Sequence, residues 1–458
     1  MGLWWAELFT PPHACCASLP GCTGLPWLPR VVRIHPGRLH GATEAPGSKS
    51  YTHRALLASL LAEGVSVVEN PLWSSDTVAT LTAVERLGAQ LDRGRGSVRV
   101  ASAGRPSWTP CIDAAESGTT MRLVTGILGL LEDTALVYGR GRLHQRPVRP
   151  LLEAMAGLGV GYTLSRGCCP PHAVRGPARG VAVAVDAGES SQYLSALLLL
   201  GAGLGELTIE AVRLESRPYV DMTVRVLEAY GVRVERRGYH WFHVQGRPRP
   251  TRYRVPGDWS SAAQLLAAVA AAGGEVTLHG LDPRDPHPDR EIVEILAEAG
   301  ASCQTLPNGV RCGSPGPGAL RGFTACIADS PDLAPALAAV AAVACGTTRI
   351  CCAQRLRLKE SDRVEAILDL AQRAGAKTRL LEEPGRGLCV EITGLCGPAR
   401  PAVYSSHRDH RVAMAAAALA LAASGPSTIY GADAVAKSYP GWWETLRSLG
   451  ARLEEADG

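Results

Sequence analysis

The chain has 458 residues, 46% of them hydrophobic, with 47 lysines and arginines against 43 aspartates and glutamates. This length suggests two or three domains, and this composition excludes a disordered chain. The formal net charge of only +4 argues against a protein that coats nucleic acid, and no apolar run reaches the roughly 18 residues of a membrane span, so we expect a soluble protein.

The fourteen cysteines are unusual for a chain whose first thirty residues show no basic segment and no uninterrupted apolar stretch. We therefore expect no signal peptide. Three pairs are adjacent in sequence: Cys15 and Cys16, Cys168 and Cys169, and Cys351 and Cys352. Adjacency is not the CxxC spacing of zinc sites. We expect small buried thiols, neither a disulfide scaffold nor a metal site.

Two patterns recur six times along the chain. In the first, small polar residues precede a helix rich in Ala and Leu. Its markers, 69 to 77 residues apart, are Lys49, Thr119, Ser191, Ser260, Asp332 and Asp409. In the second, a hydrophobic helix ends at a glycine suited to a C-cap. These glycines, 69 to 75 residues apart, are Gly88, Gly159, Gly231, Gly300, Gly375 and Gly450. The chain therefore contains six units of about 70 residues.

Each unit has the pattern strand, helix, strand, helix, strand, with short strands such as VSVVEN, LTIEAV and EVTLHG. The first helix of each unit is apolar almost all round, which predicts a buried helix inside outer sheets. Six units are too many for one core, so we expect an α/β fold with three units in each of two halves. Unrelated α/β units in one larger sheet are the weaker alternative. Residues 1–33 lie outside the repeat and form an N-terminal extension of unknown role.

The polar clusters lie directly before the buried helices. Several combine hydroxyl groups with cations or amides: Lys49, Ser50 and Arg54; Thr119, Thr120 and Arg122; Ser190, Ser191 and Gln192; and Arg408, His410 and Arg411. One such cluster would be a simple N-cap. Six helix starts that converge would form an anion site, because free N–H groups and the helix dipole both favour negative charge.

Two motifs supply carboxylates. RLKESDR holds Lys359, Glu360 and Arg363 at a helix start, and DSPDLAP holds Asp329 and Asp332. RLKESDR is equally typical of a solvated capping run. Its functional interpretation makes Glu360 a proton-transfer group whose pKa is set by neighbouring cations. GSKS does not complete a P-loop, and no full dinucleotide, zinc-protease or esterase motif occurs, so we expect no cofactor.

Eight motifs stand in one order along the chain: PGSKSYTHRA, ESGTTMR, SSQYLSALL, SRPYVDMT, GDWSSA, LKESDR, DHRVAM and KSYP. Together they resemble the 5-enolpyruvylshikimate-3-phosphate (EPSP) synthase family, 3-phosphoshikimate 1-carboxyvinyltransferases, over residues 34–458. The resemblance implies a two-domain enolpyruvyl transferase fold of six βαβαββ-type units. It assigns residues 34–47 and 257–458 to one domain and 48–256 to the other, with ligands bound in the cleft and the domains closing on them.

The resemblance also implies an activity. The enzyme would transfer the carboxyvinyl group of phosphoenolpyruvate to the 5-hydroxyl of shikimate 3-phosphate through a tetrahedral intermediate, releasing phosphate. This reaction belongs to the shikimate pathway of aromatic amino acid and chorismate biosynthesis. We expect a cytoplasmic monomer that binds these two small molecules, without nucleic acid or membrane partners.

Site residues follow from matched motif positions. Shikimate 3-phosphate would be held by Lys49, Ser50, Arg54, Ser190, Ser191, Gln192, Ser216, Tyr219, Asp332 and Lys359. Phosphoenolpyruvate would be held by Lys49, Gly118, Arg146, Gln192, Arg363, Arg411 and Lys437. Asp332 would be the base at the 5-hydroxyl, and Glu360 and Lys49 would handle protons at the enol carbon and the bridging oxygen.

Three positions depart from the family pattern. Glu116 and His53 stand where asparagine is common, and Leu123 stands where glyphosate-sensitive members often have proline. Gly118 is retained and leaves room for glyphosate, so the resemblance implies inhibition. Two alternatives remain open: a related enolpyruvyl transferase that acts on a UDP-amino sugar, and an RNA-end-binding protein of similar repeat fold.

Overall fold

The computed structural model describes residues 30–456. Twelve α-helices lie within them. Six inner helices are α1 (Lys49–Leu61), α3 (Gly118–Leu128), α5 (Gln192–Leu204), α7 (Trp259–Ala272), α9 (Ala334–Val343) and α11 (His410–Leu421). Six outer helices are α2 (Ser75–Arg86), α4 (Arg149–Gly157), α6 (Pro218–Ala229), α8 (Ile292–Glu298), α10 (Arg363–Arg373) and α12 (Trp442–Ser448). Short 3-10 helices span Gly141–Gln145, Pro288–Glu291, Pro331–Leu333, Gln354–Leu358 and Ala432–Lys437.

The strands of this described part of the chain form six sheets of four. Three sheets, in spatial order, are β14 (Arg252–Arg254), β3 (Glu63–Glu69), β5 (Ser97–Ala103) and β4 (Gln90–Arg93); β6 (Cys111–Asp113), β7 (Thr134–Tyr138), β9 (Cys169–Arg175) and β8 (Gly161–Arg166); and β10 (Ala182–Ala187), β11 (Glu206–Leu214), β13 (Trp241–Gln245) and β12 (Arg233–Arg237). The other three are β2 (Leu39–Glu44), β15 (Gly274–His279), β17 (Gly309–Ser314) and β16 (Ser302–Leu306); β18 (Thr324–Cys326), β19 (Thr347–Cys351), β21 (Gly387–Thr393) and β20 (Lys377–Glu383); and β22 (Val403–Ser405), β23 (Ser427–Tyr430), β1 (Val31–Ile34) and β24 (Leu453–Ala456).

Each sheet repeats one topology, a parallel pair followed by two antiparallel neighbours, and each carries one inner and one outer helix. The predicted six-unit α/β fold is therefore confirmed. All residues of α7 are buried, as its uniformly apolar sequence predicts. The six repeated glycines have φ between +80° and +103°, the left-handed conformation of a helix C-cap.

The chain passes between the two groups of three sheets twice. Strand β2 leads into α1, which lies beside a sheet of the other group, and β14 leads back into α7. The two crossing segments meet at the antiparallel bridge between Gly47 and Gly257. The buried apolar side chains form two clusters, one from residues 32–45 and 259–451 and the other from residues 51–255.

Two expectations need correction. Val31–Ile34 pairs with β23 and β24, so the repeat region begins before residue 34, and Val32 is fully buried. Only residues 1–29 of the predicted extension lie outside the described part of the chain. A four-residue strand that completes a sheet with the other end of the chain has too little periodicity to be recognised locally.

The expectation of unpaired buried thiols is also wrong for ten cysteines of the described chain. Five disulfides join Cys168 to Cys169, Cys303 to Cys312, Cys326 to Cys352, Cys345 to Cys396, and Cys351 to Cys389. Cys303 and Cys312 are direct cross-strand partners on β16 and β17. Most pairs come together only when neighbouring strands align, so spacing in the sequence did not reveal them.

Candidate active site

A polar cavity lies where the two core clusters face each other. Most of the residues implied by the resemblance line it: Lys49, Ser50, Arg54, Arg146, Ser190, Ser191, Gln192, Ser216, Tyr219, Asp332, Lys359, Glu360 and Arg411. The other three lie beside its wall. Arg363 contacts Asp332 and Glu360, Gly118 packs against the Arg146 guanidinium, and Lys437 lines a neighbouring outer cavity.

Inner helices direct these side chains toward the cavity. Lys49 and Gln192 are the first residues of α1 and α5, Arg411 is the second residue of α11, and Asp332 lies in the 3-10 turn before α9. Unpaired N–H groups at such ends favour anions. The start of α7 does not contribute, because Ser260 is buried and donates to Asp289 Oδ2 at 2.5 Å. The convergence expected from six helix starts is therefore incomplete.

Asp332 is surrounded by three cations. Its Oδ1 lies 2.6 Å from Arg363 Nη1 and 3.3 Å from Lys359 Nζ, and its Oδ2 lies 3.0 Å from Arg411 Nη2. Burial alone would raise the pKa of Asp332, but Arg411, Lys359 and Arg363 together hold it well below its ordinary value. Asp332 is therefore an ionised acceptor at neutral pH.

Glu360 has a similar environment. Its Oε2 accepts from Arg363 Nη2 at 2.8 Å, and its Oε1 lies 3.3 Å from Arg146 Nη1. Burial would raise the pKa of Glu360, but Arg146 and Arg363 outweigh it and keep the pKa well below the ordinary value. The Arg146 contact crosses the cleft, so closure of the cleft and the charge of Glu360 are linked.

Arg363 organises this cluster. Its side chain is only 1% exposed, and its Nε donates at 2.8 Å to Asp409, the N-cap residue of α11. The predicted helix start at RLKESDR is observed, with Asp362 accepting from the N–H groups of Val364 and Glu365. A guanidinium group suits this position because its fixed fork serves several carboxylates at once.

Lys359 is a buried cation whose pKa is lowered toward neutral pH. Burial lowers the pKa of Lys359 to about 8, although Asp332 opposes the shift. A lysine in this range loses its charge under mildly alkaline conditions, when the neighbouring arginines remain charged.

Arg54 and Gln192 are fixed by protein contacts. Arg54 donates to Thr223 Oγ1 at 2.7 Å, to the Ser50 carbonyl at 2.8 Å and to the Tyr219 carbonyl at 3.1 Å. Gln192 accepts from Arg122 Nη1 at 2.9 Å and donates to Thr119 Oγ1 at 2.9 Å. These two side chains therefore brace the wall of the cavity in this structure.

Sequence reasoning missed Arg355, which lines the cavity. Its Nη2 donates to Ser216 Oγ at 3.0 Å and lies 3.6 Å from Glu215 Oε2 across the cleft. The only available signal was its position four residues before Lys359. Asp76, which accepts from Lys49 Nζ at 3.0 Å, was also missed, because it lies at the start of the unremarkable helix α2.

One group of side chains in residues 30–456 brings metal-ligand atoms together: Cys351, Glu383 and Cys389. Two of its three ligand atoms are joined in a disulfide, which leaves a single carboxylate. We therefore assign no metal to it. Within the same described residues, no helix has both the length and the apolar character needed to cross a membrane.

The molecule has two halves of three units each, and the cavity between them is lined by cations paired with carboxylates. This fold and this site are those of an enzyme that acts on small anionic substrates. The family model for EPSP synthase (3-phosphoshikimate 1-carboxyvinyltransferase) matches residues 34–446. The chain belongs to this family.

Individual relatives agree with this assignment. The chain is 44% identical to the 3-phosphoshikimate 1-carboxyvinyltransferase of Aeropyrum pernix, covering 94% of this chain and 99% of the relative. It is 42% identical to that of Thermococcus kodakarensis, covering 90% and 98%. The solved EPSP synthase from Acinetobacter baumannii has a TM-score of 0.76 at 27% identity, covering 93% and 99%. The enolpyruvyl transferase NikO from Streptomyces tendae shares the fold, with a TM-score of 0.75 at 21% identity and coverage of 94% and 100%.

Proposed function

We propose that this cleft transfers the carboxyvinyl group of phosphoenolpyruvate to the 5-hydroxyl of shikimate 3-phosphate and releases phosphate. The observation that carries the proposal is the pair of ionised carboxylates, Asp332 and Glu360, set among Arg146, Lys359, Arg363 and Arg411. Both substrates carry phosphate and carboxylate groups, which pair well with guanidinium and ammonium donors. Family membership makes this reaction the expected one.

We propose the binding roles that the matched positions imply. Shikimate 3-phosphate would contact Lys49, Ser50, Arg54, Ser190, Ser191, Gln192, Ser216, Tyr219, Asp332 and Lys359. Phosphoenolpyruvate would contact Lys49, Gly118, Arg146, Gln192, Arg363, Arg411 and Lys437. Support comes from the shared cavity. Twelve of these residues line it together with Glu360, and Arg363 contacts the lining residues Asp332 and Glu360.

The chemistry then has two stages. Asp332 accepts the proton of the 5-hydroxyl while the oxygen bonds to C2 of phosphoenolpyruvate, and C3 takes a proton to give a tetrahedral ketal phosphate. C3 next returns a proton, the C2–O bond to phosphate breaks, and the enol ether forms. Glu360 and Lys49 serve the protons at C3 and at the bridging oxygen. Asp332 is ionised, as a group that accepts the proton of the 5-hydroxyl must be.

Contacts across the cleft support a closed reaction chamber. Arg146 meets Glu360 at 3.3 Å, Arg355 meets Glu215 at 3.6 Å, and the Tyr51 hydroxyl donates to Asp285 at 2.8 Å. Closure removes water and strengthens charge interactions at the reacting atoms. The domain division at residues 47/48 and 256/257 is part of this proposal, and the separation of the two core clusters supports it.

We also propose a monomer in the cytoplasm that binds no nucleic acid. Lys49, Asp332 and Glu360, the three groups assigned to proton transfer, line one cavity of a single chain, which supports the monomer. Size-exclusion chromatography with light scattering would test the oligomeric state. Strongly salt-dependent binding to RNA would contradict the proposal that the protein binds no nucleic acid.

The test of the reaction is phosphate release from the purified protein with both substrates, and with each substrate omitted in turn. We expect release only when both are present, and a loss of about 10²-fold or more in Glu360→Gln. Release with a UDP-amino sugar in place of shikimate 3-phosphate would assign the related enolpyruvyl transfer. No release with either acceptor would reject the proposal.

A further inference from the structure

Lys437 is paired with Glu116 across the cleft. Its Nζ lies 2.5 Å from Glu116 Oε2 and 2.8 Å from the carbonyl oxygen of Arg408. Glu116 follows β6 in one half of the molecule, and Lys437 ends a 3-10 helix in the other half, 321 residues away. The Lys437 side chain is 14% exposed and the Glu116 side chain is 33% exposed, so this ion pair is partly buried.

The pair stands at a wall between two cavities. Lys49 lines the inner cavity, whereas Asp76, Glu116 and Lys437 line an outer one. Lys49 is tied to Asp76 at 3.0 Å in the same region. In this structure Glu116 therefore keeps the Lys437 ammonium at the outer side of the wall.

Two of the three N–H donors of Lys437 are engaged in these contacts. An ammonium group has three N–H donors, and Glu116 and the Arg408 carbonyl take two of them. Burial would lower the pKa of Lys437, but the hydrogen bond and charge of Glu116 raise it above the ordinary value. One N–H donor remains, but the Glu116 carboxylate already pairs with the charge that a phosphate group would meet at this ammonium.

We propose that Glu116 limits the affinity for the smaller substrate by competing with its phosphoryl group for Lys437. This inference rests on the proposed function, which assigns Lys437 to phosphoenolpyruvate. A substrate that takes the place of Glu116 on Lys437 must displace the charge-assisted hydrogen bond between these two residues. A phosphoryl dianion can do so, whereas a singly charged carboxylate has little advantage over Glu116. Because the cost of breaking the Glu116–Lys437 contact is the same for every anion, Glu116 weakens the binding of each anion at this position.

Glu116→Gln tests the competition, because it keeps the shape and removes the charge. We expect the KM for phosphoenolpyruvate to fall about 5- to 10-fold, the KM for shikimate 3-phosphate to stay constant and kcat to change less than about threefold, the pattern of altered uniform binding. Glu116→Asp, whose side chain is shorter by one methylene group, should weaken the contact with Lys437 and shift the KM in the same direction. Glu85→Gln removes a carboxylate from an exposed ion pair with Arg93, outside the cleft, and should leave both KM values unchanged.

A double-mutant cycle separates competition from a structural effect. In a Lys437→Met background, Glu116→Gln should no longer tighten binding. Inorganic phosphate affinity, measured by calorimetry on the intact chain, gives a readout that needs no turnover. If the reaction itself is absent but Glu116→Gln still tightens phosphate binding through Lys437, the proposed function fails and the competition stands. An unchanged or raised KM for phosphoenolpyruvate in both Glu116 variants, or equal shifts for both substrates, would overturn the inference.

Discussion

Asp332 and Glu360 share one guanidinium group. Arg363 donates to Asp332 Oδ1 at 2.6 Å and to Glu360 Oε2 at 2.8 Å. Burial alone would raise both pKa values, but Arg363 and the neighbouring cations hold both well below the ordinary range. Both carboxylates are therefore ionised in the substrate-free protein. If Glu360 is to deliver a proton, the substrates themselves must first raise its pKa.

We predict that substrate anions do so, because their charges offset Arg146 and Arg363. Binding shikimate 3-phosphate with glyphosate, a pair that cannot react, should take up as much as one more proton at pH 6 in the wild type than in Glu360→Gln. Calorimetry in buffers of different ionisation enthalpy measures the number of protons taken up on binding. Protons taken up by the ligands themselves are the same for both proteins and cancel when the two numbers are subtracted. The matched control is Glu365→Gln, an exposed residue on α10. Equal uptake in Glu360→Gln and wild type would remove Glu360 as the proton carrier.

A second prediction concerns Lys359, whose pKa burial lowers to about 8. Bound phosphate favours the charged ammonium and so raises this pKa in the complex. The affinity from this contact is then fully present below pH 8 and is lost as the pH rises above 8. The KM for shikimate 3-phosphate should increase up to tenfold per pH unit there. Lys359→Arg should flatten the profile, because a guanidinium stays charged. A flat wild-type profile to pH 9.5 would contradict this assignment.

The third prediction concerns Gly118, the first residue of α3. A Cβ at this position would clash with the Arg146 guanidinium. Gly118→Ala should displace Arg146 from Glu360 and raise the KM for phosphoenolpyruvate about 10-fold or more. Inhibition by glyphosate should weaken by a larger factor than the change in this KM. The KM for shikimate 3-phosphate should not change. Gly157→Ala, where a methyl group meets open space, is the control. Steady-state kinetics with each substrate varied would decide, and an unchanged KM for phosphoenolpyruvate would show that Arg146 is not needed there.

The fold was largely predictable from the sequence, and the reason lies in repeated local chemistry. Gly88, Gly159 and their four counterparts end helices in a conformation that glycine adopts without strain, so their spacing reports the repeat directly. The uniformly apolar α7 and α9 could only be inner helices. Most site residues were found because they lie in contiguous motifs at helix starts.

The features that were missed depend on distant parts of the chain. Glu116 and Lys437 are 321 residues apart, and nothing local in either motif specifies their contact. Arg355 lies in a 3-10 helix with no periodic signal, and its role is set by the opposing Ser216. Val31–Ile34 became a strand only through pairing with β23 and β24.

The cysteine pairs give a fourth prediction. Cys326 and Cys352 have a Cα–Cα distance of 5.5 Å, in the middle of the usual range for disulfides, and close a loop of 26 residues. Chain entropy suggests that this crosslink stabilises the fold by about 3 kcal/mol. Cys326→Ser and Cys326→Ser/Cys352→Ser should unfold at lower denaturant concentration than the wild type under non-reducing conditions, and the difference should vanish with reductant. Equal midpoints without reductant would mean that these thiols are not joined in solution.

Following the transferred carbon would test the proposed reaction without relying on phosphate release alone. Phosphoenolpyruvate labelled with ¹³C at C2 is incubated with shikimate 3-phosphate and the full chain, and the products are identified by NMR. We expect the label to appear in an enol ether carbon joined through oxygen to C5 of shikimate 3-phosphate, with one phosphate released per ether formed. Label that stays in phosphoenolpyruvate, or that appears only in pyruvate by hydrolysis, would contradict it.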